Sequence, residues 1–417
     1  MVSGNPPVAL YGAGQRAATE KKIVEAQGHI PVCLIDRDVD KHGSTLLGLP
    51  VLSLNEAREA YGELDMHVTT DGTRRYEIFD FLIQQGINKW NILNYEEYEE
   101  YNGCPFLETH MLVNEHRMAY CCTHREGRWL GYNIEWEGSI EQSISSWLAT
   151  RDKYIKAARR GSESICHGCN QVKNYVFPSE KKIRIMSCAF IAPCQLSCLY
   201  CVSPNAQRPL SEEVKSVVKS FDWQRFFRYM KENDLIAEDA YLIVAGGEFT
   251  ICPRKNELLD IIEKYNLQVD TNAIIFDERL AMLTARPGGS LMISVDAGTG
   301  ETYKRIKGLD AFEKVWNNIQ NYIEHDVCVT VKYILLPENS TEPDITGFIN
   351  EASKARVETI QLSTNNCRTE CLSEQQISMA AKIMELAKSR GILATVLPGA
   401  FSGEETGMIQ KVRRNGW

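Results

Sequence analysis

Long hydrophobic runs are missing from this chain. No window of its 417 residues approaches the roughly 20 consecutive apolar residues that a membrane-crossing helix needs. The opening, MVSGNPPVALYGAG, has neither the basic nor the apolar block of a secretory signal. Together these absences predict a cytoplasmic protein with no membrane partner. An excess of positive charge is missing too. Lys and Arg number 46 against 55 Asp and Glu, a formal charge of -9, which is the wrong sign for tracking a phosphate backbone by counterion release. That argues against nucleic acid as the principal partner. Internal repeats and low-complexity tracts are also absent. What remains, 44% apolar and 24% charged residues, is the composition of a folded globular chain long enough for two or three domains.

Cysteine, by contrast, is plentiful, at 14 residues. A reducing cytosol disfavours disulfides, so metal or redox chemistry is the expected use. The cysteines also cluster: Cys104, Cys121, Cys122, Cys166, Cys169, Cys188, Cys194, Cys198 and Cys201 share one stretch, and only Cys33, Cys252, Cys328, Cys367 and Cys371 lie outside it.

Residues 1–96 alternate short apolar runs with amphipathic segments: VALYGAG, a helix from Gln15, VCLIDRD, LPVLSLNEA, MHVTT, a helix around Tyr76 to Gln85, and WNILNY. This spacing predicts a doubly wound parallel sheet, a Rossmann-like domain. Gly12, Gly14 and Ala17 form a G-x-G-x-x-A turn after its first strand, and Asp36 ends the second strand about 20 residues on, where a ribose hydroxyl would be held. A nucleotide or nucleotide-sugar at this turn and simple packing of the module are the two readings.

Residues 97–181 are aromatic, poor in regular periodicity and carry five cysteines. From 182 to 417 the alternation resumes, with six or seven βα units. That fits an incomplete parallel barrel, of (β/α)6 type, better than a closed eightfold one. The expected fold class is therefore α/β with three parts.

The strongest local signal is Cys194-Gln-Leu-Ser-Cys198-Leu-Tyr-Cys201, in the loop after the first strand of the barrel. Three thiolates this close, with no histidine at zinc-finger spacing, suit three irons of a cubane [4Fe-4S] cluster and leave the fourth iron open. This C-x3-C-x2-C run, with Tyr200 before its last cysteine, resembles the radical S-adenosylmethionine (SAM) enzymes, and the resemblance extends over about residues 182 to 398. It implies that Gly246, Gly247 and Glu248 at the second strand end bind the methionine amine. It also implies that Thr271 and Asn272 form the third-strand TN pair, and that Ser294 and Asp296, on one face of the fourth strand by alternation, hold the ribose. The implied chemistry is one-electron cleavage of SAM to a 5′-deoxyadenosyl radical that removes hydrogen from an unactivated carbon. The implied electron donor is a flavodoxin or ferredoxin. A cluster that merely stiffens its loop is the plainer alternative.

Cys104, Cys121 or Cys122, and Cys166-His-Gly-Cys169 supply four sulfurs for a second site. The run CPFLETHMLVNEHRMAYCC resembles the opening of SPASM and twitch elements, which implies an auxiliary [4Fe-4S] cluster, although those elements usually follow the barrel and this one precedes it. Zinc on the same sulfurs is the alternative. His167, His110 and His116 are expected to be exposed or supporting residues. Cys252, Cys367 and Cys371 near the barrel mouth are candidate hydrogen donors to a substrate radical, or simply small buried hydrophobes. Lys332, inward-facing with Thr330 and Ile334, is expected either to meet the SAM carboxylate or an anionic substrate, or to pair with Glu248.

These readings converge on a radical SAM enzyme that oxidises or epimerises a carbohydrate or nucleotide-sugar. Modification of a peptide is the rival within the class, and a non-catalytic iron-sulfur redox sensor is the rival outside it.

Overall fold

The computed structural model describes residues 7–415 other than 71, 121–123, 126–127, 130–132, 163, 165, 168, 170, 202–209, 366–367, 369 and 398. In the N-terminal part, strands Val8–Tyr11, Pro31–Ile35, Leu49–Leu52 and Asp65–Val68 run parallel in the spatial order third, second, first, fourth. This is the order of a doubly wound half-sheet whose switch point lies between its first and fourth strands. A short strand, Thr45–Leu46, adds an antiparallel edge. Helices cover both faces, so each face has its own core: Tyr11, Met66, Phe79 and Leu82 on one, Leu10, Ala17, Val24 and Leu34 on the other. WNILNY forms no strand. It makes a 3-10 turn, Lys89–Asn91, and a single bridge from Ile92 to Met66.

The cysteine-rich segment is more regular than its sequence suggests. Tyr98–Gly103 and Lys173–Pro178 pair as an antiparallel ribbon. Between them, His110–Val113 joins the main sheet parallel to Ile183–Ala189, and Arg117–Ala119 and Asn133–Glu135 extend that sheet antiparallel. Strands of three or four residues are too short for alternation to register. Their apolar residues Met111, Val113 and Met118 are buried only because the larger core is there to receive them.

Seven strands follow in chain order, all parallel: Ile183–Ala189, Ile236–Ala245, Asn266–Thr271, Gly289–Ser294, Val329–Leu335, Thr359–Thr364 and Leu393–Val396. With His110–Val113 this makes eight parallel strands where six or seven βα units are expected, the eighth coming from the cysteine-rich segment. The sheet curls strongly. In a flat sheet the third and sixth strands of this series would lie about 14 Å apart, at the usual spacing between neighbours. Yet the amide of Gln15 hydrogen-bonds both Gln268 on the third and Gln361 on the sixth. Strand Asn266–Thr271 alternates between half-buried and buried residues, Gln268 and Asp270 facing the lumen and Leu267 and Val269 facing the helices.

Outside the sheet, helices begin at recognisable caps. Ser373 and Gln376 form a reciprocal capping box for Glu374–Ser389. Helices Glu212–Ser220 and Trp223–Glu232 are separate, because Asp222 caps the second by accepting from Arg225 N. The second helix buries Trp223, Phe226 and Phe227, and Trp223 packs edge-on against Phe190, next to the loop that carries the three cysteines. Among the described residues, no helix is long and apolar enough to cross a membrane.

Candidate active site

Everything expected of the cysteine loop depends on where the first barrel strand ends. Past Ala189 the backbone is pinned from three sides. Glu115, buried in the cysteine-rich segment, accepts from Ile191 N at 2.9 Å and from Trp223 Nε1 at 3.3 Å. Gly246 and Gly247 press against the loop on the second side. Both have positive φ, 94° and 56°. A Cβ on Gly246 would stand 2.9 Å from Phe190 O, and one on Gly247 would collide with Ala192 O. Glu248 N then donates to Pro193 O at 2.9 Å, so the Gly-Gly-Glu turn and the loop form one unit. On the third side, the end of helix Gly300–Lys307 accepts through Lys307 O from Ser197 N and through Ile306 O from Leu199 N.

The loop holds Cys194 and Cys198 half-buried and Cys201 exposed. Burial raises the pKa of Cys194 and of Cys198, and the neighbouring thiols push each further up. Three thiolates gathered here therefore repel one another, and bound iron would relieve that repulsion. Asn272 Nδ2 donates to Cys194 Sγ at 3.8 Å and Leu196 N to the same sulfur at 3.5 Å, the kind of donors that support a ligated thiolate. Gln195 Oε1, inside the loop, is buried with no donor among the described residues, an acceptor that a bound ligand's N–H or O–H would satisfy. The donor set suits a three-cysteine cluster with an organic ligand beside it, although among the described residues no three His, Cys, Asp or Glu side chains are drawn together closely enough to hold a metal ion.

Glu248 is committed to its own chain. Its carboxylate accepts from Thr250 N and Oγ1, from Thr271 Oγ1 at 2.8 Å and from Asn272 N at 2.7 Å, tying the second strand end to the third. The expected alternative of a Glu248–Lys332 ion pair is not formed. Lys332 faces the lumen in a row that the strand register aligns as Ser294, Lys332, Gln361 and Thr395. Its ammonium has no hydrogen-bond or ion-pair partner among the described residues.

Asp296 departs from the expected geometry. The fourth strand ends at Ser294, and Asp296 adopts φ 58°, so alternation does not place the two on one face. Asp296 is fully buried. It accepts from Ile334 N at 2.6 Å, from Lys307 Nζ at 2.5 Å and from the Tyr200 hydroxyl. Lys307, also buried, reaches the Tyr200 hydroxyl at 2.7 Å. The Tyr200 ring is thus held from behind by a buried ion pair. Lys307, Glu115 and Asp270 went unnoticed in the sequence. Asp270 lies in the lumen, and burial lifts its carboxyl to about 6 against the opposing effects of Gln268 and Lys332. Inward alternation with Asn272 is the only signal that could have found it.

Cys252 is buried in the core, where desolvation raises its thiol to about 11, a packing position. Cys371 is exposed, and Cys367 lies outside the described residues. In the cysteine-rich segment, Cys104 follows Gly103, which pairs with Lys173, so the ribbon brings the start of the Cys104 turn next to the chain that has just passed Cys166 and Cys169. Cys121 and Cys122 lie outside the described residues, but Tyr120 before them stacks on Trp147 at 5.2 Å. His167 and His116 are exposed, and His110 bonds locally to Thr109 and Pro105 O.

At the N-terminal turn, Gly12 has φ 117° and a Cβ there would stand 2.5 Å from Thr69 Oγ1. Gly14 faces open space. Asp36 accepts from Ala13 N at 2.8 Å, from Lys41 Nζ at 2.8 Å and from Asp38 N at 2.9 Å, so both its oxygens are engaged by the chain itself.

Residues 190–352, the stretch from this loop through the lumen strands, match the family model of the Radical SAM superfamily. The chain carries a radical SAM domain. This places residues 190–352 in a superfamily whose cofactors are a [4Fe-4S] cluster and SAM. No curated protein matches it. Among solved structures, it resembles SuiB of Streptococcus suis at 12% identity over 63% of this chain and 56% of that one, with a TM-score of 0.41. The chain thus spans little more than half of SuiB. Native anSMEcpe with bound AdoMet matches at 13% identity over 51% of this chain and 63% of that one, with a TM-score of 0.40. A domain of pyruvate-formate lyase-activating enzyme from Bacteroides vulgatus matches at 17% identity over 37% of this chain and 97% of that one, with a TM-score of 0.32.

Proposed function

We propose that Cys194, Cys198 and Cys201 hold the cluster, and that the enzyme abstracts hydrogen from a polar substrate with an anionic group, a nucleotide-sugar or other charged carbohydrate, to oxidise or epimerise it. When bound, the cluster supplies one electron that cleaves SAM and frees the hydrogen-abstracting radical. The chain's own residues hold and orient. Asn272 and Leu196 N support Cys194, and the Gly-Gly-Glu turn fixes the loop. The Lys307–Asp296 pair sets the Tyr200 ring beside Cys201.

The observation that carries the substrate class is the Lys332 ammonium, standing in a row of lumen polar groups with no bonded partner among the described residues. A confined cation gains most from an ionised oxygen, through a charge-assisted hydrogen bond. Cys104, Cys121 or Cys122, Cys166 and Cys169 are the proposed ligands of an auxiliary cluster, supported by the ribbon that brings the Cys104 turn alongside the Cys166-Cys169 segment. The three parts 1–96, 97–181 and 182–417 then work as support, auxiliary-cluster element and catalytic barrel.

A substrate panel under dithionite tests the reading. Carbon-deuterated nucleotide-sugars should pass deuterium into 5′-deoxyadenosine, and Lys332→Met should weaken their use. Label arriving from peptides instead, with the sugars inert, would replace the carbohydrate with a peptide.

A further inference from the structure

The N-terminal glycine turn does something that a nucleotide fingerprint does not describe. The C-terminal ends of its sheet face the N-terminal ends of the barrel strands. Helix Ala17–Ala26, which follows the turn, lies across those strand starts: Arg16 stacks over the Tyr241 ring at 4.3 Å, and Lys22 bonds Asp326 at 2.7 Å. A cavity of about 540 Å³ remains between helix and strands, lined among others by Gln15, Thr19, Gln268, Ser290 and Thr330. Gln15 reaches from the turn into the lumen. Its Oε1 accepts from Gln361 Nε2 at 2.5 Å, and its Nε2 donates to Gln268 Oε1 at 3.5 Å.

These two bonds have a direction that matters. Because Gln361 donates to Gln15, the NH2 of Gln15 is the end left for Gln268. Because Gln268 accepts there, its own NH2 is turned toward Asp270, to which it donates at 2.8 Å. An ionised carboxylate can only accept, while a protonated carboxyl can also donate. The chain of amides is therefore set to hold Asp270 as an acceptor.

We infer that the glycine turn is the floor of the catalytic barrel, and that Gln15 is a positioning residue which, by fixing the orientation of the Gln268 amide, supplies the hydrogen bond that holds the Asp270 carboxylate in the lumen. The inference needs only the lumen geometry and holds whichever substrate the enzyme takes. It explains why the turn carries glycine at position 12, pressed against Thr69, while Asp36 closes the turn from behind by accepting from Ala13 N. It also gives the N-terminal domain a part in the chemistry of the barrel.

The charged groups around Asp270 are few. Lys332 acts on it across the lumen. Met292 flanks it on the fourth strand, and from the floor Arg16 is paired with Glu20 at 2.6 Å. Removing the Gln15 amide frees Gln268 to turn its oxygen toward Asp270, which penalises the ionised carboxylate and leaves the protonated one unharmed.

The experiment is thermal unfolding of the reconstituted full chain at pH 5.5 and pH 8, for wild type, Gln15→Ala, Asp270→Asn and the double variant. The Gln15→Ala loss of Tm should be larger at pH 8 by about 1 °C, a small shift because the unfolding entropy grows with chain length. In the Asp270→Asn background the loss should be the same at both pH values. A loss equal at both pH values with Asp270 present, or a pH difference that survives Asp270→Asn, would overturn the inference. If Gln15→Ala does not fold, Gln15→Asn, whose amide falls one methylene short, should show the same pH-dependent sign, and an unchanged pH profile there would overturn it equally.

Discussion

Two glycine turns in this molecule follow parallel strands, one after the first strand of the N-terminal sheet and one after the second strand of the barrel, and they do different work. In the barrel, Gly246 and Gly247 are glycine because another backbone occupies the space where side chains would go. That backbone is the cysteine loop, so a change at the turn is a change at the cysteines. In the N-terminal domain, Gly14 faces open space and Gly12 meets the side chains of Thr69 and Thr70 rather than another backbone. The two motifs look alike in sequence, a glycine pair after a short apolar run. What separates them is the neighbour, and the neighbour is a tertiary fact.

The contrast is sharpest at Gly247. Gly247→Ala adds a Cβ against the Ala192 carbonyl and forces φ 56° on a residue that resists it. It should displace the cysteine loop and lower 5′-deoxyadenosine formation on the order of 100-fold, the scale of a roughly 1 Å misplacement in a catalytic site. An HPLC assay with dithionite and SAM reads this directly. Near-normal cleavage would mean that the turn does not set the loop.

Behind the loop, Lys307→Met leaves the Asp296 carboxylate buried without its counter-charge, which should cost about 3–5 kcal/mol in denaturant unfolding. The double variant with Asp296→Asn should recover much of that. A cost that does not change in the double variant would deny that the pair acts as a unit.

Asp270 gives a smaller, pH-dependent effect. Its folded pKa of about 6 lies above the unfolded value. Its contribution is therefore fully present below the unfolded pKa and is lost as pH rises through about 6. Wild type should lose about 1 kcal/mol of stability relative to Asp270→Asn between pH 5 and pH 7. Parallel stability curves for the two proteins would contradict this. Smallest of all, Gly14→Ala should change stability by no more than about 0.5 kcal/mol, since its Cβ would meet nothing within 4 Å.

The parts of this arrangement legible in the sequence are those whose signal is local. Cys194, Cys198 and Cys201 share one loop, Gly246 to Glu248 end an apolar run, and the barrel strands announce themselves by alternating with helices. The illegible parts depend on distant partners. Lys307 looks like any lysine in the last turn of a helix, and nothing near it names Asp296. Glu115 belongs to a segment without clear periodicity, although it anchors the strand end before the cysteines. Alternation misleads at Asp296 because the strand ends two residues before it and Asp296 stands in a left-handed turn. The strand His110–Val113 has four residues, and only the sheet it joins reveals it.

Iron counting tests the division of labour between the two cysteine groups most directly. Anaerobically reconstituted wild type should hold about eight irons per chain, from two clusters of about four. Changing Cys194, Cys198 and Cys201 together to Ala should leave about four and abolish 5′-deoxyadenosine formation. Full iron retention in that triple variant, or SAM cleavage that survives it, would contradict the assignment of the radical site to this loop.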